Sequence, residues 1–268
     1  MATTATPATG IAATATRGRF VWHELMTTDP AAARTFYQEV VGWKTSEMEG
    51  MDYTFWLAGE APDSMVGGLM TLPAEAAAMG SPPFWYAYTE VPDTDATVEQ
   101  AAKLGAKVLV PPKTMEQAGR FAVLQDPWGA VFAVIKSATP LNPENDPKPR
   151  QFSWHELTTD DLPAAISFYE TLFGWVKKDE MDMGDMGKYY MFGRDRFMYG
   201  GMMKKPPEAP GAYWMHYVLV SDSADAAAER AQKRGAKLMM GPMDVPGGDR
   251  IAMLQDPQGA MFAVHSKP

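Results

Sequence analysis

The chain has no cysteine among its 268 residues. That excludes a disulfide framework, a thiol nucleophile and a thiolate metal site. Basic residues are outnumbered, 24 against 33 acidic, for a formal charge of -9. A nucleic-acid or anionic-membrane surface needs clustered Lys and Arg, so neither partner is expected. No apolar run approaches the roughly 20 residues that a membrane span requires. The opening Met1-Ala2-Thr3-Thr4 stretch has neither a basic start nor an apolar segment, so no signal peptide is read and a cytoplasmic location is expected. Nucleotide and hydrolase signatures are missing as well: there is no Gly-x-Gly-x-x-Gly turn, no Gly-x-x-x-x-Gly-Lys loop and no Gly-x-Ser-x-Gly elbow.

What is present is a repeat. Phe20-Val21-Trp22-His23-Glu24-Leu25 returns 132 positions later as Phe152-Ser153-Trp154-His155-Glu156-Leu157. Asp29, Phe36-Tyr37 and Gly42-Trp43 return as Asp161, Phe168-Tyr169 and Gly174-Trp175 at the same offset. Further on, Leu124-Gln125-Asp126-Pro127 returns as Leu254-Gln255-Asp256-Pro257. Two copies of one domain are therefore expected, which fits the length prior for such a chain. The expected division is an Ala/Thr-rich disordered tail over 1–17, a first domain over 18–136, a Pro-rich linker over 137–150 and a second domain over 151–268.

Within each copy the pattern is strand, helix, three strands, given twice. Asp29 with Pro30 reads as an N-cap followed by proline at the first helical position. Ala33, Phe36, Tyr37 and Val40 then fall on one helical face. A second helix is expected over Asp93–Leu104, and its counterpart over Asp222–Arg234. Gly67-Gly68 suggests a bulge or a close backbone approach. Asp126-Pro127-Trp128-Gly129 and Asp256-Pro257-Gln258-Gly259 have the residues of type I turns.

The doubled βαβββ pattern, the Phe-Tyr helix and the Asp-Pro-x-Gly turn before the last strand resemble the vicinal oxygen chelate superfamily. This is the group of glyoxalase I, bleomycin-resistance proteins and extradiol dioxygenases. The Trp-His-Glu-Leu opening is most similar to its two-domain, glyoxalase-like members, some of them labelled hydroxylases. The resemblance implies an α+β fold of two tandem domains, each a pair of βαβββ modules forming a curled sheet around a cleft with helices outside. The two domains are expected to pack pseudo-symmetrically in a monomer, or the chain to form a homodimer.

It also implies a place for a divalent metal, held by side chains on the first, fifth and eighth strands of a domain. The eighth-strand carboxylate would fall at 133 and 263, where this chain has Ala133 and Ala263. The fifth-strand position is read as His216 in the second domain and as Ala87 in the first. The family's first-strand position corresponds to Trp22 and Trp154. Strand alternation puts His23 and His155 on the face of Leu25 and Leu157, toward the helices, and aims Trp22, Glu24, Trp154 and Glu156 into the clefts. A one-residue bulge would exchange these faces and make His155 or His23 the ligand.

On this reading Glu156 and His216 are the candidate catalytic residues, with Glu156 as acid/base. Trp22, Glu24, Trp85, Trp154 and Trp214 line ligand clefts. His216, Glu156, His265 and His155 are the candidate ligands of a divalent ion. The 21 methionines include Met48, Met51, Met181, Met183 and Met186 between the second and third strands of each copy, as adaptable filler of an apolar pocket. Two functions remain open: an enzyme of lyase, isomerase or oxygenase type acting on a small carbonyl or aromatic metabolite, or a non-catalytic binding protein of the bleomycin-resistance kind. Ordinary glyoxalase I activity is not expected of either.

Overall fold

A computed structural model describes residues 16–61, 64–78, 80–139, 146–207, 209 and 211–268. Most of the expected tail (1–15) and the middle of the expected linker (140–145) lie outside the described residues.

The first repeat runs β1 (Phe20–Thr27), α1 (Pro30–Val40), β2 (Lys44–Glu47), β3 (Thr54–Leu57), β4 (Met65–Thr71), a short helix α2 (Ala74–Ala78), β5 (Phe84–Glu90), α3 (Thr94–Lys103), β6 (Lys107–Met115), β7 (Gly119–Gln125) and β8 (Val131–Ser137). The second runs β9 (Phe152–Thr159), α4 (Leu162–Phe173), β10 (Val176–Asp182), β11 (Lys188–Arg194), β12 (Phe197–Lys204), β13 (Tyr213–Leu219), α5 (Ala224–Lys233), β14 (Lys237–Asp244), β15 (Arg250–Gln255) and β16 (Met261–Ser266). Each repeat gives one eight-stranded sheet, in the orders β2-β3-β4-β1-β5-β8-β7-β6 and β10-β11-β12-β9-β13-β16-β15-β14. The sheets are mixed: β1 and β4 run parallel, as do β5 and β8, while β2, β3 and β4 pair antiparallel. The fold is α+β, with two βαβββ modules per repeat.

The helices begin where side chains satisfy their first amide groups. Asp29 and Asp161 accept from the backbone N–H of Ala32 and Ala164, at 3.0 and 3.1 Å, with proline in the first turn of each helix. The helix expected over Asp222–Arg234 is α5, which starts at Ala224. The cap is Ser223, which accepts from the Ala226 N–H, because Asp222 is taken by Arg230 in a bidentate pair.

The chain's two compact units do not coincide with the repeats. One is built from the described residues within 1–21, 88–145 and 157–213, the other from Trp22–Ala87, Asp146–Glu156 and Trp214–Pro268. Each therefore joins a first module of one repeat to a second module of the other. The conserved-looking phrases of the repeat explain how. In the second unit Tyr37 donates its hydroxyl to Asp256 Oδ2 at 3.0 Å, and Trp43 donates Nε1–H to the Arg150 carbonyl at 2.7 Å. In the first unit the partners are exchanged: Tyr169 donates to Asp126 at 2.8 Å, and Trp175 donates to the Gly18 carbonyl at 2.6 Å. Each turn aspartate also accepts backbone N–H groups of its own turn, from Trp128 and Ala130 in one case and from Gln258, Gly259 and Ala260 in the other. The Phe-Tyr, Gly-Trp and Asp-Pro-x-Gly motifs are thus the fasteners of module pairing.

The core of the second unit lies between α1, α5 and the sheet faces beneath them. Ala33, Phe36, Tyr37 and Val40 of α1 and Ala227, Ala228 and Ala231 of α5 pack with Leu25, Trp43, Trp56, Val218 and Phe262. The alanine face of α5 allows close helix approach, and Arg230 donates to the Val40 carbonyl at the end of α1. In the first unit Phe168, Tyr169 and Phe173 gather edge-on around Phe132, and Trp175 stacks on Phe192.

Candidate functional site

Strand β1 pairs with β4 in unbroken register, His23 opposite Gly67 and Glu24 opposite Gly68. No bulge exchanges the faces. Leu25 packs into the core with Leu69, so Trp22 and Glu24 leave by the other side of the sheet. There they share one partner that the sequence did not suggest, Tyr53. Trp22 Nε1–H donates to the Tyr53 hydroxyl at 3.1 Å, and that hydroxyl donates to Glu24 Oε2 at 3.2 Å. Gly68 makes room for the arrangement: a Cβ on it would collide with the Tyr53 hydroxyl and with Glu24 Oε1. The close approach expected at Gly67-Gly68 is this one.

Glu24 is 3% exposed, and among the described residues nothing hydrogen-bonds its Oε1. Burial pushes the carboxyl up to about 8, against partial relief from Tyr53 and Trp22. Tyr53 also borders an open depression of about 770 Å³ between the start of α1 and the β2–β3 connection, whose lining includes Arg34, Met48 and Met51. Trp154 and Glu156 hold the matching positions in the second repeat; Trp154 is half-buried and Glu156 buried. Gly201 there lies against the Tyr189 ring as Gly68 lies against Tyr53.

The other expected site residues are elsewhere. Trp85 is not a cleft residue. It sits in the core beside Trp43 and Phe152 and donates Nε1–H to Tyr37. His216 is on the helix-facing side of β13 with Val218, a member of the core, and by the same alternation so is the buried Trp214. Glu156, next to His155 in β9, leaves by the face opposite to that histidine. His265 is held at both ring nitrogens, by Ser153 Oγ at 2.8 Å and Asp249 Oδ2 at 2.7 Å. The expected convergence of Glu156, His216 and His265 is therefore not formed.

His216 joins His23 and His155 instead. The ring of His216 lies 5.3 Å from each of the other two, and His23 Nε2 is 2.8 Å from His155 Nε2. His23 also stacks on Phe152 at 3.6 Å. All three are buried, at 5%, 6% and 1% exposure. One nitrogen from each lies within 4.8 Å of the other two, a spacing that could hold a metal ion. Burial, reinforced by the neighbouring imidazoles, holds His23 and His216 well below the usual histidine range. The cluster lies on the helix side of its strands, on the face opposite to Glu24.

Ala133 and Ala263 carry no donor atom, and the residues paired beside them on β5 and β13 are Tyr88 and Tyr217.

The sequence model of the Glyoxalase/Bleomycin resistance protein/Dioxygenase superfamily matches residues 19–134 and again 151–264, and the chain belongs to that superfamily. It is 32% identical over 248 residues to "Putative glyoxylase CFP32" of Mycobacterium tuberculosis (strain CDC 1551 / Oshkosh), covering 91% of this chain and 92% of that protein. It is 29% identical over 257 residues to the anthracycline biosynthesis protein DnrV of Streptomyces peucetius, covering 92% of each. Among solved structures, the Mn(II)-bound glyoxalase from Novosphingobium aromaticivorans aligns with 94% of this chain and 82% of its own, at a TM-score of 0.61 and 17% identity. The 2,3-dioxygenase LapB from Pseudomonas sp. KL28 aligns with 94% and 93%, at 0.63 and 14%. At such identities the structural likeness is one of fold.

Proposed function

We propose that this protein binds a flat, largely apolar small molecule carrying carbonyl or hydroxyl oxygens, against the sheet face that presents Trp22 and Glu24. The observation that carries this reading is the Glu24 carboxyl, buried on the side of β1 opposite the core with Oε1 left without a hydrogen bond among the described residues. A carboxyl in that condition costs folding free energy, and a ligand hydroxyl or carbonyl would recover it. Tyr53 fixes the carboxyl's orientation, and the indole of Trp22 offers a flat apolar wall. Glu156 and Trp154 are proposed for the same roles in the second repeat. The name of DnrV supports the ligand class, since anthracyclines are fused-ring aromatic molecules bearing such oxygens. Glyoxalase I chemistry through a cleft metal is not proposed, because Ala133 and Ala263 offer it no ligand.

The test is a titration of tryptophan fluorescence with hydroxylated anthraquinones, on the wild type and on Glu24→Gln and Trp22→Phe. Glu24→Gln is expected to weaken binding by about tenfold, the worth of one hydrogen bond to a charged or polar partner, and to leave Tm unchanged or raised. Recovery of the ligand unaltered after long incubation identifies a binding protein, whereas a new product by mass spectrometry identifies an enzyme. Equal affinity of all three proteins for every bound compound would remove Glu24 and Trp22 from the site.

A further inference from the structure

The histidine cluster takes no part in the cleft reading above. We propose that His23, His155 and His216 together bind a late first-row divalent cation, zinc foremost, and that this ion pins the three chain segments from which the second unit is built. The segments are Trp22–Ala87, Asp146–Glu156 and Trp214–Pro268. Each contributes one of the three imidazoles, so an ion among them would cross-link all three.

The donors are of one kind. Three imidazole nitrogens with no carboxylate or thiolate suit zinc, nickel, cobalt or copper and not magnesium or calcium. The geometry brings one nitrogen of each of the three rings within 4.8 Å of the other two. A tetrahedral ion with bonds of about 2.0–2.1 Å sets its donors about 3.3 Å apart. The His23–His155 separation of 2.8 Å would then open by about half an ångström, and His216 would close inward. The rings stand on β1, β9 and β13, inside sheets that resist larger movement, and Phe152 stacked on His23 holds that ring's plane. Burial is no obstacle to loading, because an ion of this kind is captured as the segments come together in folding. The protein supplies three of four tetrahedral positions and leaves the last to water or a small anion.

The experiment uses the full chain without an affinity tag, expressed in zinc-supplemented medium. Elemental analysis of the wild type is expected to give about one equivalent of zinc per chain. A strong chelator should lower Tm, and zinc should restore it. The chelated protein titrated with Co(II) should develop the visible bands of a tetrahedral nitrogen site. His216→Ala and His23→Gln should each lose both the ion and the bands; the second variant keeps the reading open if the first fails to fold. A wild type holding under about a tenth of an equivalent and showing no cobalt bands would overturn the proposal. So would an ion retained equally by both variants, which would be adventitious.

Discussion

Tyr37 and Tyr169 show what a single hydroxyl contributes here. Each is fully buried and bonds to a turn aspartate that already accepts the backbone of its own turn. Burial raises the Asp126 and Asp256 carboxyls above the usual range, and the bonds from tyrosine and turn amides pull them back. Tyr37 also receives the Trp85 indole N–H, so its oxygen is one link in a three-membered chain. Tyr37→Phe should strand both Trp85 Nε1–H and one lobe of Asp256, at a cost of about 1–3 kcal/mol in urea unfolding. Tyr169→Phe likewise strands one lobe of Asp126 and should also destabilise. Equal stability of both variants and wild type would show that water takes the hydroxyl's place. These tyrosines were legible as helix-face residues from their spacing, but not as hydrogen-bond donors. Their partners lie 219 and 43 positions away, and no local pattern announces them.

At the level of elements, alternation was a sound guide wherever the register had a fixed point. Leu25 anchored β1, so the opposite faces of Glu24 and His23 followed from the sequence. β13 lacked such an anchor. Counting back six residues from Asp222 singled out His216 as the cleft residue. The α5 cap is Ser223, however, and six residues before it stands Tyr217, which pairs with Ala263. The cap alone does not account for the miss, since α3 is capped by Asp93 as expected and the residue six before it is Ala87, while the one paired with Ala133 is Tyr88; a six-residue count does not fix the register of this strand. Tyr53 was missed for another reason: it stands at the start of a strand-like run, and its partners Trp22 and Glu24 lie 31 and 29 positions away, where no local pattern announces them. The cap can be tested directly. Ser223→Ala should cost about 1 kcal/mol by removing the acceptor for the Ala226 N–H, whereas Asp222→Ala leaves that acceptor in place and should cost less. The opposite ranking in thermal melts would return the cap to Asp222.

For the whole molecule, the repeat in the sequence and the unit in space are different divisions. A reading by repeats places the chain in its superfamily correctly, since all four βαβββ modules are complete. It could not show that His23 meets His216, because that contact follows from the first module of one repeat joining the second module of the other. The exchange has a consequence for the chain cut in two. Neither half contains a complete unit: residues 1–139 lack the Asp256 that receives Tyr37 and the Arg150 carbonyl that receives Trp43, while residues 146–268 lack Asp126 and Gly18. Each half alone would expose the α1 or α4 face that its missing partner covers, with a buried tyrosine hydroxyl and an indole N–H left to water. A cut within residues 140–145 breaks none of these bonds. Fragments 1–142 and 143–268 expressed together should therefore copurify and unfold in one cooperative transition. Either expressed alone should give a broad, low transition or self-associate. If one fragment alone melted as sharply as the intact chain, the repeats would be independent folding units and the exchanged pairing would not be what holds the structure together.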